Sequence, residues 1–398
     1  MHDEPGWKLT DDGTAAPVGI RSPSGRSVVF KVQFVLVARP SPAATTISQY
    51  LSRMRSRILV LDGNAASRTW ALTPDAERTV LDAAPRGWTV RVMRTATSSD
   101  GDGSQRPSDE VLEAVRDAEV YVGFGIARMA FEEARRLRWV HSLAAGVRGT
   151  LFPAMVGSDV ALTNSAGIHA IPMAETVVGG VLALLRGLNL AIDLQREARW
   201  DKQPFVGQGS PLRELGDCRA LIIGAGGIGT EIACRMQAFG TVCVGVRRRP
   251  ELGTPAGFHR VIGPDAIDAE LPEADIVVLA APSTGETEGL LDGARLARVR
   301  QGALIVNVGR GALVDEAALA AAVASGRLRG AVLDVFQHEP LPPDSPLWGL
   351  RQVLILPHVS PVSPGKFWER QLELLLDNWR RYLAGDPLRN LVDKHAGY

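Results

Sequence analysis

The chain has 398 residues, 45% of them hydrophobic, and its 44 basic residues are balanced by 44 acidic ones. This length exceeds what one hydrophobic core usually organises, so at least two domains are expected. The balanced charge and the lack of a long apolar run argue against a nucleic-acid partner and against a membrane span, and we expect neither.

The first 53 residues have the composition of an extension rather than of a domain. They begin with acidic residues, contain several Pro, Gly and Ser, and hold one apolar run at 28–38 that polar residues interrupt. A signal peptide would start with basic residues and have a cleaner apolar centre, so we expect a disordered extension. Domain-like sequence starts near Arg57, which makes Met54 a candidate start of the functional chain.

Apolar runs alternate with amphipathic segments in the next hundred residues, as in a parallel α/β sheet. The last run leads into the turn Ala145-Gly146-Val147, which could hold a substrate carboxylate through its backbone N–H groups or be an ordinary turn. The predicted strands are Arg57–Asp62, Thr89–Met93, Val120–Gly123 and Trp139–Leu143, the helices are Asp75–Ala83, Val111–Val115 and Phe131–Leu137, and Ser98–Asp109 is a loop.

The strongest local pattern follows the apolar run Ala220–Ile223. It reads Gly224-Ala225-Gly226-Gly227-Ile228-Gly229 and precedes a helical segment, Thr230–Phe239, and a second apolar run, Val242–Val246. A GxGxxG between a strand and a helix is typical of dinucleotide binding. Its first glycine would form the tight turn, its second would let the backbone approach the pyrophosphate, and its third would let helix and strand pack closely. A purely structural turn is the alternative.

Three arginines, Arg247, Arg248 and Arg249, follow the second of these strands. NAD-binding proteins usually place an acidic residue there to hold the ribose 2′-hydroxyl. Guanidinium groups instead match a 2′-phosphate, so this turn favours NADP(H), with NAD(H) possible. A solvated basic turn is the alternative reading.

The remaining patterns continue the alternation of strands and helices. Val160–Asn164 is predicted to begin the nucleotide half, and Met173–Leu185 is a helix apolar enough to be buried between domains or in a dimer interface. Further strands are predicted at Ile276–Ala280, Leu304–Val308, Ala331–Val335 and Val353–Leu356, and further helices at Glu316–Ala324 and Lys366–Leu383.

Arg310, Glu339 and His358 each follow the end of a different strand in this half. Ligands of open α/β sheets bind outside the carboxyl ends of the strands, so the three could converge at a nicotinamide. Arg310 would hold a substrate carboxylate and polarise its carbonyl. His358 would supply a proton, while Glu339 would orient the imidazole and favour its charged form. Each could instead have an ordinary structural role.

Together these motifs resemble those of the D-isomer-specific 2-hydroxyacid dehydrogenases, from Arg57 to about Asp386. The motifs are GAGGIG, APSTGET at 281–287, NVGRG at 307–311, LDVFQHEPLP at 333–342 and LPHVS at 356–360. The resemblance implies that Arg310, Glu339 and His358 are catalytic and that Pro282, Val308 and Gly309 contact the cofactor. It also implies that Asp334 hydrogen-bonds the nicotinamide carboxamide and that Ala145, Gly146 and Val147 hold the substrate carboxylate.

The same resemblance implies an α/β fold of two Rossmann-like domains with parallel sheets. The dinucleotide-binding domain, 158–357, would be inserted into a flavodoxin-like substrate domain, 54–157 and 358–398. Catalysis would occur in the cleft between them, and a homodimer would form through the nucleotide domain.

The SLAAGV stretch at 142–147 and the basic turn are most similar to the glyoxylate/hydroxypyruvate reductase branch. The expected substrate is therefore a small 2-keto acid or D-2-hydroxy acid. Arg148 stands where many members carry Asp, which leaves the substrate open. An NAD-dependent phosphoglycerate-type dehydrogenase and a non-catalytic NAD(P)-sensing protein are the alternatives.

The chain has three cysteines, Cys218, Cys234 and Cys243, whose spacing fits no zinc pattern. Their odd number indicates reduced thiols, as in the cytosol. We therefore expect a cytoplasmic protein without a metal site.

Overall fold

The computed structural model describes residues 7–9, 15–17, 57–96, 107–208 and 210–397. It divides into two compact units, Met1–Arg55 and Ser56–Tyr398. In the first unit, strands β1 (Trp7–Leu9) and β2 (Ala15–Pro17) form an antiparallel pair. Regular structure thus occurs at these six residues. The rest of the predicted extension, including the apolar run at 28–38, lies outside the described residues, as does most of the predicted loop Ser98–Asp109.

A five-stranded parallel sheet opens the second unit. Its strands lie in the order 2-1-3-4-5, the flavodoxin-like order. The four predicted strands are confirmed to within a residue at each end. The strands are β3 (Arg57–Asp62), β4 (Trp88–Val92), β5 (Val120–Gly123), β6 (Trp139–Ser142) and β7 (Ala161–Thr163), and their spatial order is β4-β3-β5-β6-β7.

Strand β7 corrects the prediction that Val160–Asn164 begins the nucleotide half. It pairs in parallel with β6, with Leu162 beside Val140, and therefore belongs to the first sheet. The backbone N–H of Val392 also donates to the carbonyl of Leu162, so the end of the chain covers this strand. A short apolar strand carries no local mark of its partner, and the chain leaves the first sheet only after β7.

Among the described residues, four short helices accompany this sheet. The first begins with a proline, and the Thr73 side chain accepts from the N–H of Ala76, a favourable N-cap. The third begins three residues earlier and ends four residues earlier than the predicted Phe131–Leu137. The helices are α1 (Pro74–Asp82), α2 (Asp109–Val115), α3 (Arg128–Glu133) and α4 (Pro153–Val156).

A seven-stranded parallel sheet forms the nucleotide half. Its strand order reverses between two neighbouring strands, β8 and β11, and such switch points are where open α/β sheets bind ligands. The strands are β8 (Arg219–Ile223), β9 (Val242–Val246), β10 (Arg260–Ile262), β11 (Ile276–Leu279), β12 (Leu304–Asn307), β13 (Gly330–Leu333) and β14 (Val353–Ile355), in the order β10-β9-β8-β11-β12-β13-β14.

In the described part of this half there are seven α-helices: α5 (Ala170–Leu185), α6 (Leu188–Arg196), α7 (Gln203–Val206), α8 (Gly227–Ala238), α9 (Ile267–Glu270), α10 (Gly293–Arg298) and α11 (Glu316–Ala324). Helix α5 packs its buried face, including Val177 and Val181, on sheet residues such as Val278 and Val332. The prediction that it lies between the domains is therefore wrong, whereas its place in a dimer interface stays a prediction. Among the described residues, no single helix has both the length and the apolarity to cross a membrane.

The last helix, α12 (Phe367–Ala384), returns the chain to the first sheet. Its Trp368, Leu375 and Trp379 are buried in one core with Leu59 and Leu61 of β3. The substrate half is thus built from both ends of the second unit, with the seven-stranded sheet inserted between them. This arrangement confirms the predicted α/β fold with two parallel sheets.

Candidate active site

The glycine turn after β8 is built by two close approaches of backbone. Gly224 has a φ of +110°, and a Cβ there would lie 2.6 Å from the carbonyl oxygen of Ala280. A Cβ at Gly229 would lie 2.1 Å from the carbonyl oxygen of Gly224. Any side chain at either position would therefore displace backbone, which explains why both are glycine.

The same turn leaves space and donors at the start of α8. A Cβ at Gly226 would meet no atom within 4 Å, and no side chain caps the helix. Within the described part of the chain, the N–H groups of Gly226, Gly227 and Ile228 have no protein acceptor. Free N–H groups at a helix N-terminus favour an anion, so this turn fits the pyrophosphate of a dinucleotide.

The basic turn after β9 lies beside this site. The Nε of Arg247 donates to the carbonyl of Arg249 at 2.7 Å, and the Nη2 of Arg247 is buried with no partner in the described ranges. Arg248 pairs with Glu286 at 3.1 Å; both side chains are largely exposed. The turn therefore offers guanidinium donors at the end of β9, although one of them has an acidic neighbour.

The loops after β11 and β12 form the next part of the edge. The carbonyl of Pro282 accepts from the Thr287 hydroxyl at 2.7 Å. Asn307 braces the following turn, because its Oδ1 accepts from the N–H of Gly309 and its Nδ2 donates to the carbonyl of Arg310. Val308 is buried, whereas Arg310 is exposed and donates from Nη1 to the carbonyl of Gly309 at 2.7 Å.

The substrate loop, Ala145–Val147, reaches Arg310 from the other sheet. A Cβ at Gly146 would lie 3.3 Å from the Arg310 Nη2, so the loop and the guanidinium are neighbours. In the described structure, the N–H groups of Ala145, Gly146 and Val147 have no protein acceptor. Consecutive unpaired N–H groups beside a guanidinium form a suitable environment for a carboxylate.

Glu339 and His358 form the pair that the sequence predicted. The Nδ1 of His358 lies 2.8 Å from the Glu339 Oε2, and the other oxygen of Glu339 accepts from the N–H of Phe336 at 3.0 Å. A carboxylate only accepts, so Nδ1 carries the hydrogen and Nε2 is the outward nitrogen. The His358 side chain is 46% exposed and the Glu339 side chain is 36% exposed, so the ring is accessible to solvent.

Asp334 has a different environment from the predicted contact with nicotinamide. Its side chain is fully buried, and its Oδ1 accepts from the N–H groups of Val359 at 2.8 Å and Ser360 at 3.1 Å. Its Oδ2 accepts from the N–H and the hydroxyl of Ser360. The carboxylate is therefore committed to the loop that carries His358, and a nicotinamide contact stays a prediction.

Comparisons with known proteins decide the family. Residues 178–360 match the model of the D-isomer specific 2-hydroxyacid dehydrogenase NAD binding domain. Glyoxylate/hydroxypyruvate reductase A from Salmonella newport is 30% identical over 304 residues, which cover 74% of this chain and 89% of that protein. The chain belongs to the D-isomer specific 2-hydroxyacid dehydrogenase family.

Two further relatives are similar to this chain, one in structure and one in sequence. A D-isomer specific 2-hydroxyacid dehydrogenase from Xanthobacter autotrophicus, solved with NADPH and MES, is 30% identical with a TM-score of 0.68, covering 86% of this chain and all of that one (100%). D-3-phosphoglycerate dehydrogenase from Methanocaldococcus jannaschii is 30% identical over 290 residues, 72% of this chain. The chain spans only 53% of the length of that relative.

Several residues that shape this dehydrogenase site were not predicted. Asn307 and Ser360 lie inside the quoted motifs, so their positions at strand ends could have identified them. Gln371 of α12 is fully buried, donating to the carbonyl of Leu143 and accepting from the Ser165 hydroxyl at 2.8 Å. No local signal marks Gln371, because its partners are more than 200 residues away in the chain.

Proposed function

We propose that this protein uses NADPH to reduce a small 2-keto acid, glyoxylate or hydroxypyruvate above all, to the corresponding 2-hydroxy acid. The observation that carries the proposal is the His358–Glu339 pair, 2.8 Å apart at the carboxyl edge of the nucleotide sheet. Family membership supports the reaction type. The Salmonella relative, named as a glyoxylate/hydroxypyruvate reductase, supports the substrate class.

In this mechanism His358 is the proton donor. NADPH would supply the hydride to the carbonyl carbon. The Nδ1–H of His358 is held by Glu339, so the proton for the carbonyl oxygen leaves from Nε2. Because the backbone N–H of Phe336 fixes the second oxygen of Glu339, the carboxylate keeps one orientation. It would stabilise the imidazolium that gives up the Nε2 proton, and the ring would be left as the Nδ1–H tautomer.

Arg310 and the substrate loop would bind the carboxylate of the keto acid. The guanidinium can bind a carboxylate bidentately. The unpaired N–H groups of Ala145, Gly146 and Val147 would complete the site from the other sheet. In this arrangement the carboxylate would lie between the two sheets and the carbonyl carbon would face the nucleotide half.

The NADP(H) preference rests on the basic turn. The buried, unpartnered Nη2 of Arg247 and the guanidinium of Arg248 are donors where a 2′-phosphate would lie. The pyrophosphate would bind at the glycine turn, which is formed by Gly224, Gly226, Gly227, Ile228 and Gly229. The rest of the cofactor site would be lined by Arg249, Pro282, Val308 and Gly309. NADPH in the Xanthobacter relative supports this preference, and NAD(H) is the alternative cofactor.

The homodimer and the cytoplasmic location also belong to this proposal. Leu188 and Ile192 of α6 are 50% and 47% exposed, and Trp200 is 101% exposed. Large apolar side chains exposed in one stretch favour a protein interface. Free thiols at Cys218, Cys234 and Cys243, two of them buried, are consistent with a reducing compartment.

The first test is the rate of NADPH oxidation, and then of NADH oxidation, with glyoxylate, hydroxypyruvate and pyruvate. His358→Ala should lower kcat by about 10²–10⁴-fold, because it removes the proton donor. His338→Ala is the matched control, since His338 is an exposed neighbour of Glu339 and should tolerate the change. Tight NADPH binding without turnover of any keto acid would instead favour an NAD(P)-sensing protein, and a clear preference for NADH would refute the cofactor assignment.

A further inference from the structure

His169 occupies the junction between the two sheets. It precedes the first residue of α5, on the segment where the chain passes from β7 to the nucleotide half. Its ring stacks on Phe367, with centroids 6.0 Å apart and planes at 18°, and meets the edge of Trp70 at 5.5 Å. Trp70 and Phe367 belong to the aromatic core of the first sheet, so His169 contacts the substrate half through its ring.

The same ring makes one hydrogen bond within the described structure, to the second passage of the chain between the sheets. The Nδ1 of His169 lies 3.1 Å from the carbonyl oxygen of Pro361. A carbonyl only accepts, so Nδ1 carries the hydrogen. Burial lowers the pKa of His169 to about 4, so the donor is a neutral imidazole over the range in which enzymes are usually assayed. Pro361 follows His358 by three residues.

The segment between His358 and Pro361 is strained and firmly held at its near end. His358 has a φ of +55°, a left-handed conformation that non-glycine residues rarely adopt. Its N–H donates to the carbonyl of Asp334 at 3.0 Å, and the carboxylate of Asp334 holds Val359 and Ser360. Strained backbone of this kind persists only where surrounding contacts impose it.

Asp334 accepts hydrogen bonds from the backbone N–H groups of residues 358–360. The following residue, Pro361, is held instead through its carbonyl, which accepts from His169. A phenylalanine would stack equally well on Phe367 and Trp70, so packing alone does not explain a histidine here. The hydrogen bond to Pro361 does. It joins the far end of the strained turn to a residue whose ring is fixed by the first sheet.

We propose that His169 is a positioning residue for His358: its Nδ1–H fixes Pro361 at the far end of the strained turn, and its ring aligns that turn with the substrate half. This inference rests on the proposed role of His358 as proton donor. Loss of the hydrogen bond would let His358 move relative to the substrate loop. The close approaches that build the glycine turn, of Gly224 to Ala280 and of Gly229 to Gly224, involve neither histidine.

Two substitutions separate the hydrogen bond from the stacking. His169→Phe keeps an aromatic ring and removes the donor, whereas His169→Asn removes the ring and keeps an amide N–H near the position of Nδ1. We expect kcat to fall on the order of tenfold in His169→Phe, as small misplacements of a catalytic group do. NADPH affinity and the thermal midpoint should stay close to wild type. His169→Asn should recover most of kcat although it loses the packing.

Hydrogen exchange of residues 358–366 gives a readout that needs no turnover. Their amides should exchange faster in His169→Phe than in wild type and return toward the wild-type rate in His169→Asn. Equal exchange and equal kcat in His169→Phe and wild type would overturn the inference, as would a larger loss in His169→Asn than in His169→Phe. If wild type shows no turnover, the proposed function fails, and the exchange rates still decide whether His169 holds the turn.

Discussion

At the scale of single residues, burial decides which titratable groups are available for chemistry. His141 is fully buried and His169 is partly buried, and desolvation lowers their pKa values to about 3 and about 4, respectively. Both rings are therefore neutral near pH 7. His358 is half-exposed, faces a carboxylate and has a free Nε2, so it is the histidine best placed to exchange a proton with a ligand.

Asp62 shows burial acting on a carboxyl group. It lies at the end of β3, 4% exposed, and its Oδ2 accepts from the Tyr121 hydroxyl at 2.6 Å. Its Oδ1 is buried with no partner in the described ranges. Desolvation is the main reason that its pKa rises from 3.8 to about 6. As the pH rises, the Asp62 carboxyl group therefore ionises in the unfolded chain before it ionises in the folded protein. Its destabilising effect on the folded state grows between pH 3.8 and about pH 6 and stays constant above that range.

Asp62→Asn should therefore stabilise the protein at neutral pH. Removing the buried charge should raise the free energy of unfolding at pH 7.5 by at most about 3 kcal/mol, and the gain should shrink as the pH falls toward 4. Urea unfolding at pH 7.5 and pH 4.5 measures both values. Asp117→Asn, the same change at an exposed position, is the control. A loss of stability at pH 7.5 in Asp62→Asn would contradict the assignment.

At the scale of elements, the glycine turn separates a binding role from a packing role. A Cβ at Gly226 would meet no atom within 4 Å, and its φ of −94° suits alanine. A Cβ at Gly229 would lie 2.1 Å from backbone, so α8 would have to move away from β8. Gly226 and Gly229 are three residues apart, and glycine is favoured at each for a different physical reason.

Gly226→Ala should keep the wild-type stability and lose NADPH affinity by about tenfold or more, because its methyl group would occupy the space proposed for the pyrophosphate. Gly229→Ala should lower the free energy of unfolding by about 1–3 kcal/mol, as overpacking usually does. Fluorescence titration with NADPH and urea unfolding measure the two effects. Normal NADPH affinity in Gly226→Ala would place the cofactor elsewhere.

At the scale of the whole molecule, the second unit contains both sheets, α12 and every proposed site residue. The first passage between the sheets is held by side chains from the end of the chain. Asn390 donates to the carbonyls of Asn164 and Ala166, and Gln371 accepts from Ser165. The end of the chain thus fixes the point at which the backbone leaves the first sheet.

A protein that begins at Met54 should retain turnover and the unfolding midpoint of the full chain, because Ser56–Tyr398 forms a compact unit of its own. A protein that begins at Gly63 is the control. It lacks β3, which lies between β4 and β5, and should not fold. Activity assays and thermal unfolding of both shortened chains check this. Misfolding or inactivity of the chain from Met54 would show that the first 53 residues are required.

The sequence by itself determined the α/β class, most strand positions and the family. Alternating apolar runs, the glycine turn and the motifs at strand ends are local properties, and parallel strands bring their carboxyl ends to one edge wherever they lie. The pairing of Glu339 with His358 could be predicted for this reason, since both follow neighbouring strands, β13 and β14.

Tertiary structure alone decided where the ambiguous segments belong. Strand β7 joined the first sheet, α5 covered a face of the second, and the carboxylate of Asp334 was committed to the loop of His358. His169 gained its proposed role from rings and a carbonyl about a hundred and about two hundred residues away. Such contacts depend on which surfaces meet after folding, and a short apolar strand or a single histidine carries no local pattern that specifies its partner.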